Sequence, residues 1–199
     1  MDFVKEIKNQ RKPKTFFPIL KPIKERFSPR IFSQSEIPDG ELRIMFEAAR
    51  LAPSGRNNQP WFYYLIRRGT KAYETLKDCI PERNHWSLTA PVIIIACYDP
   101  FEKDKTPNKW AQYDLGASVI SFILQAKELG YYCRQIGSYH CEKTQEVFNL
   151  PKNHIPFILI TLGKIGTNTE YFTANKTILE KELTPWFRKE EIFKEIKKA

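Results

Sequence analysis

The stretch "PVIIIACY", Pro91 to Tyr98, constrains the fold of this chain more than any other. A continuous apolar run of that kind is typical of a strand buried on both faces, so helices must cover the sheet from two sides. "PFILITLG", Pro156 to Gly163, reads as a second buried strand. "WFYYLI", Trp61 to Ile66, is aromatic and β-branched enough for a third.

Helical patterns fill the intervals. Asp39, after Pro38, is placed to cap a helix whose apolar residues Leu42, Met45, Phe46 and Ala49 fall at three- and four-residue spacing. Thr70, after the turn "RRGT", is placed to cap a short one. The segment from Trp110 to Leu129 predicts the central core helix, with Leu115, Val119, Phe122, Ile123 and Ala126 on one side and Gly130 where a C-terminal cap belongs. Glu142 to Phe148 suggests another short helix, and beyond Gly166 the pattern weakens toward a final one in "PWFRKEEIFKEI". The order helix, strand, helix, strand, long helix, helix, strand implies an α+β sheet with helical layers.

The 199 residues suit a single domain, read here as 22–199. Residues 1–21, with "RKPKTFFPILKP", mix basic residues and prolines in a way that opposes regular structure and read as an extended basic arm. Lys and Arg outnumber Asp and Glu by 32 to 23, a net charge of +9 that attracts phosphate-bearing molecules, whether nucleic acid or a phosphorylated cofactor. Much of that excess sits near the ends of the chain, a pattern more typical of solvated termini than of a groove.

The four cysteines form no C-x-x-C pair, and the spacing of Cys133 and Cys141 around His140 fits no common zinc pattern, so no metal is expected. Without a signal peptide or a long apolar span, the expected setting is the cytoplasm, away from a membrane.

Two stretches stand apart. "LAPSGRNNQPW", Leu51 to Trp61, crowds amide and hydroxyl groups between prolines and carries one formal charge, Arg56. "RFSPRIF", Arg26 to Phe32, places two arginines and a serine at alternate positions, which an extended chain turns to one side. Taken alone, the first reads as an elaborate turn and the second as an exposed basic edge. There is no G-x-G-x-x-G and no G-x-x-x-x-G-K-[ST], so a bound phosphate would rely on side chains.

In this order, with "NHWSLTAPVIII", "NKWAQYDLGASVISFILQAKELGYY", "RQIGSY" and "LPKNHIPFILITLG" following, the chain resembles the nitroreductase family of FMN-dependent oxidoreductases over roughly residues 22 to 190. The resemblance implies a three-layer sandwich, with a central, mostly antiparallel sheet flanked by helices, in an intertwined homodimer whose FMN sites are built from both chains. By position, Arg26, Ser28 and Arg30 would hold the phosphate, ribityl chain and pyrimidine edge of FMN. Arginine forks suit phosphate oxygens, and a cation near the pyrimidine edge stabilises the reduced ring. Pro53, Ser54, Asn57 and Gln59 match the loop that reaches the flavin of the partner subunit, their amides offering donor and acceptor on one side chain.

Asn84 falls near an asparagine that faces the flavin ring in the family. Gln135, Ile136, Gly137 and Ser138 match the segment passing its reactive edge, with Gly137 allowing close backbone approach. Most relatives have glycine where this chain has Ser138. Arg188 matches a C-terminal basic residue that reaches the phosphate. Trp186 replaces a second such residue, leaving Lys189 as the neighbouring cation.

The implied chemistry is ping-pong: NADH or NADPH reduces the flavin and leaves, and a small electron acceptor such as a nitroaromatic or quinone then takes the same space. No side chain is assigned as catalytic. Tyr131, Tyr132 and Tyr139 either shape the pocket or pack in the core. A second reading keeps the fold and FMN but gives the enzyme a dedicated metabolite substrate, as a dehydrogenase or oxidase. A third, a nucleic-acid-binding module using the basic arm, predicts salt-sensitive binding without flavin and finds no supporting motif.

Overall fold

In a computed structural model, residues 3–166 and 176–184 are described, and the apolar run from Pro91 becomes strand β2 (Val92–Tyr98). It lies inside a four-stranded antiparallel sheet of order β1-β2-β4-β3. β1 (Trp61–Arg67) pairs with it from Trp61 opposite Tyr98 to Arg67 opposite Val92. β4 (Ile155–Gly163) pairs on the other side from Val92 opposite Leu162 to Tyr98 opposite Ile155, with a bulge between Ala96 and Cys97. β3 (Tyr132–Ile136) adds to the far edge of β4, Tyr132 opposite Gly163 and Ile136 opposite Leu159.

The alternation of β2 divides the core in two. Val92, Ile94 and Ala96 join Ile160, Leu162 and Cys133 under α3 (Asp39–Arg50) and α5 (Ala111–Glu128). Ile93, Ile95, Cys97 and Leu159 join the opposite cluster, which holds Tyr73 and Leu76 of α4 (Lys71–Lys77), Trp86 and the chain around Phe27 to Phe32. Each isoleucine of β2 is 0% exposed, which stabilises the fold by about 1.5–3 kcal/mol per side chain. This is the two-sided burial expected from the apolar run.

α5 ends as its sequence requires: Gly130 takes φ 85°, and the N–H of Tyr131 donates back to the carbonyl of Ala126 at 2.8 Å. Thr70 caps α4 by accepting from the N–H of Tyr73. Pro38 occupies the cap position of α3, so Asp39 lies inside the first turn, where its carboxylate pairs with Arg67. α6 (Cys141–Val147) is the short helix expected after "RQIGSY".

Several elements depart from the sequence reading. β3 was not expected, because only five residues form it and Arg134 and Gln135 interrupt its apolar run. A 3-10 segment, Glu82–Thr89, and a single-turn helix α2 (Lys21–Glu25) were also not expected. The arm is not extended throughout: Phe3–Gln10 forms helix α1. Ile7, 1% exposed, enters the core and offsets the cost of ordering a basic, proline-flanked segment. Near the other end of the described chain, α7 (Lys176–Leu183) packs Ile178 and Leu183 against the same cluster.

Candidate functional site

Burial from Arg26 to Ile31 alternates strictly: Phe27, Pro29 and Ile31 are buried, and Arg26, Ser28 and Arg30 are half-buried. The apolar positions anchor the segment, with the Phe27 ring 4.9 Å from that of Tyr132. Phe32 forms a bridge with Ile165 and donates its N–H to Thr89 Oγ1 at 3.1 Å. The polar positions therefore share one side. The Ser28 hydroxyl has no hydrogen bond among the described residues, while the Ser28 carbonyl accepts from Arg134 Nη1 at 2.6 Å.

Arg134 projects from β3 on the face of Tyr132 and Ile136, and its guanidinium lies 5.1 Å over the Trp86 ring. Burial, and then the neighbouring Arg30, pull Arg134 down to about 10, with Glu182 acting in the opposite direction. Glu182, on α7, is 1% exposed and accepts from both the N–H (3.1 Å) and Nη1 (3.0 Å) of Arg30. Burial raises its carboxyl above the usual range, opposed by Arg30, Arg11 and Arg134. Arg30 bonds the Glu182 carboxylate directly, whereas Arg11 and Arg134 act on it only through space, their guanidiniums being bonded to main-chain carbonyls. Arg26 lies close enough to Cys133 to oppose the upward push of burial on that thiol.

On the same face, Asn84 Nδ2 donates to the Ser138 carbonyl at 2.8 Å, and Arg83 reaches the Ser138 hydroxyl. Gln135, Gly137 and Ser138 are exposed along the end of β3. Among the described residues, a Cβ added at Gly137 would meet Ile158 at 3.8 Å. Tyr131, Tyr132 and Tyr139 are 4–8% exposed, which makes them core residues. Tyr139 also borders an open depression of about 580 Å³ with His140 and Cys141. Arg188, Trp186 and Lys189 lie outside the described residues.

The amide-rich loop is built differently. Arg56, Asn57 and Gln59 adopt φ of 52°, 54° and 49°, a left-handed conformation rare for arginine and glutamine. The loop is held from behind: Asp114 Oδ2, on a side chain 3% exposed, accepts the Gly55 N–H at 3.1 Å, and Arg56 pairs with Glu102 at 2.9 Å. Ser54 Oγ accepts the Gln59 N–H at 3.0 Å, and Gln59 Nε2 donates to Asn57 Oδ1 at 3.0 Å. Pro53, Asn57 and Gln59 face solvent, whereas Trp61 packs against the α3/α5 core.

The structure does not bring this loop to the arginine segment of its own chain. The loop precedes Trp61, opposite Tyr98, whereas the Phe32 bridge lies just past the end of β4, where Leu162 faces Val92. Val92 and Tyr98 are the two ends of β2, about 20 Å apart at about 3.3 Å per residue.

Arg11, Arg83, Trp86, Arg134 and Glu182 escaped the sequence reading. Arg134 alone had a local signal, inside "RQIGSY": once that stretch is a strand, Arg134 must share a face with Tyr132 and Ile136. Among the described residues no three His, Cys, Asp or Glu side chains group to hold a metal ion, the four cysteines are free thiols, and no helix is long and apolar enough to cross a membrane.

Comparison with known proteins gives the class. A model of the Nitroreductase family matches residues 23–82 and 81–164. A protein of Methanothermobacter thermautotrophicus is 30% identical over 173 residues, covering 82% of this chain and 87% of its own. One of Archaeoglobus fulgidus is 28% identical over 166 residues, covering 78% and 90%. Both carry the name "Putative NADH dehydrogenase/NAD(P)H nitroreductase". Among solved structures, one described as an oxidoreductase containing FMN superposes with a TM-score of 0.79 at 23% identity, over 88% of this chain and 89% of that one. A nitroreductase family protein from Clostridium novyi NT gives 0.65 at 23% identity, over 73% and 85%.

The chain belongs to the nitroreductase family. It is an oxidoreductase with the α+β fold of that family.

Proposed function

We propose that this chain is an FMN-dependent NAD(P)H oxidoreductase, a homodimer of one FMN-binding domain per chain over residues 22–199, which reduces a nitroaromatic, a quinone or a similar small acceptor. The observation that carries the reading is the placement of Arg26, Ser28 and Arg30 on one side of their segment, with a Ser28 hydroxyl that makes no hydrogen bond among the described residues. That donor set fits a phosphate monoester with a hydroxylated chain attached. FMN held there by Arg26, Ser28 and Arg30 would supply hydride-transfer chemistry between a nicotinamide donor and the acceptor, in a ping-pong cycle.

The protein residues bind and orient. Arg26, Ser28 and Arg30 hold the phosphate and ribityl chain from one side, with Arg188 as a further cation. Gln135, Gly137 and Ser138 line the reactive edge, and Asn84 fixes that segment through the Ser138 carbonyl. Pro53, Ser54, Asn57 and Gln59 serve the cofactor of the partner subunit. The length of β2 between this loop and Arg30 supports a site shared by two copies. The donor names of the two archaeal relatives support NADH or NADPH as the electron source.

An absorption spectrum of the purified protein, taken before and after anaerobic addition of NADH or NADPH, tests cofactor and donor together. The expected protein is yellow and bleaches. A colourless protein that takes up no added FMN would sink the reading. The double change Arg26→Ala with Ser28→Ala should weaken FMN binding; unaltered affinity would remove that segment from the site.

A further inference from the structure

The match to the family begins at residue 23, so α1 and Arg11 precede everything the family model covers. They are nonetheless tied to the arginine cradle. Val4 and Ile7 of α1 meet the cluster against which Ile178 and Leu183 of α7 pack. Arg11, 8% exposed, turns its guanidinium onto the end of α7: Nε donates to the carbonyl of Glu182 at 2.8 Å and Nη2 to that of Lys181. These carbonyls belong to the last turn of a helix, which lacks N–H partners of its own, and a cation there also suits the helix dipole.

Glu182 is therefore held through its main chain by Arg11 and holds Arg30 through its side chain. One oxygen, Oε1, receives both the backbone N–H and the guanidinium of Arg30. That pairing fixes backbone and side chain of the same residue together, and Nη1 is the guanidinium nitrogen of Arg30 that it engages.

We propose that Arg11 and Glu182 are positioning residues for Arg30, so that the N-terminal segment preceding the family match sets how tightly the cradle binds FMN. The proposal rests on the FMN reading above. Two effects of Glu182 oppose each other: its charge repels a phosphate, and its oxygen orders a long arginine that would otherwise sample many rotamers. Positioning dominates, because the bond is buried and made twice to one residue.

The test measures FMN dissociation constants by quenching of flavin fluorescence, with circular dichroism to verify the fold. Glu182→Ala should weaken FMN binding about tenfold, equal to about 1.4 kcal/mol. Glu182→Gln keeps the acceptor and discards the charge, so it should bind as tightly as the unaltered protein or more tightly. Arg11→Ala should weaken binding in the same direction, Arg11→Lys should restore most of it, and the Arg11→Ala/Glu182→Ala pair should bind no more weakly than Glu182→Ala alone. A folded Arg11→Ala protein with unaltered FMN affinity, an additive double variant, or tighter binding by Glu182→Ala each overturn the proposal. If Arg11→Ala does not fold, the comparison of Glu182→Ala with Glu182→Gln decides: equal losses refute positioning. Failure of the FMN reading itself looks different, since the unaltered protein would then bind no flavin.

Discussion

Arg134 donates to the Ser28 carbonyl at 2.6 Å while its guanidinium covers the face of Trp86, so one side chain fastens the arginine segment to both β3 and the core. Arg134→Met keeps much of the apolar stem and loses both contacts. With the half-buried Ser28 carbonyl left without its partner, the expected cost is about 1–3 kcal/mol in urea unfolding. Arg134→Lys should recover less than half of it, because an ammonium cannot stack on the indole as a guanidinium does. A loss below about 0.5 kcal/mol for Arg134→Met would show that the contact adds little.

Gly166 faces the same segment from the end of β4. A Cβ there would lie 2.8 Å from both Ile31 Cγ2 and the Phe32 carbonyl oxygen, and the second of these is backbone that cannot rotate away. Gly166→Ala should therefore separate the Phe32–Ile165 bridge, with a stability loss of about 1–3 kcal/mol and weaker FMN binding from the displaced Arg30. Gly40→Ala, at a helical position with nothing within 4 Å of its added Cβ, is the control and should leave both measurements unchanged or gain slightly in stability.

How far the sequence revealed this arrangement depended on the range of the interactions. The side-sharing of Arg26, Ser28 and Arg30 was legible because Phe27, Pro29 and Ile31 supply the buried alternate positions within one short segment. β2 was legible because a buried central strand carries its whole signal in its own residues. β3 was not: an edge strand needs pairing on one side only, so Arg134 and Gln135 are tolerated there and hide the pattern. α1 was masked by the surrounding lysines and prolines, although Val4 and Ile7 sit at helical spacing and the core they enter is formed by distant chain. Glu182 had no local signal, since its partner Arg30 lies 152 residues away.

The loop from Pro53 to Gln59 depends on Asp114. Its carboxylate is buried and receives the Gly55 N–H, which anchors a backbone that turns left-handed at Arg56, Asn57 and Gln59. Asp114→Ala removes the anchor, and the loop can then relax to ordinary φ values, separating the Asn57–Gln59 amide pair. The expected result is faster proteolysis within the loop and an FMN affinity lower by about three- to tenfold, a loss of about 0.7–1.4 kcal/mol. Arg56→Ala breaks only an exposed ion pair with Glu102 and should change neither rate by more than about twofold. Equal effects of the two substitutions would refute the role given to Asp114.

The alkaline limit of stability should be set by buried hydroxyls and thiols. Tyr63 OH and Ser118 Oγ lie 2.7 Å apart, and Ser118 donates on to the Ala49 carbonyl at 2.9 Å, linking β1, α5 and α3. Burial pushes the Tyr63 hydroxyl up to about 12, with Ser118 drawing it back, and burial likewise pushes Tyr73 and Cys97 up to about 12. A group raised in the folded state holds its proton more tightly there than in the unfolded chain, so its contribution is full below the unfolded value and falls as pH rises toward the folded one. The melting temperature should stay level from about pH 7 to about 8, then fall as first Cys97 and then the tyrosines favour the unfolded chain. Tyr63→Phe should cost about 1 kcal/mol at neutral pH, because Ser118 keeps its bond to Ala49. Its melting curve should approach that of the unaltered protein above about pH 10, where the phenol it lacks begins to titrate in the unfolded state. Parallel curves across that range would show that Tyr63 does not contribute to the alkaline transition.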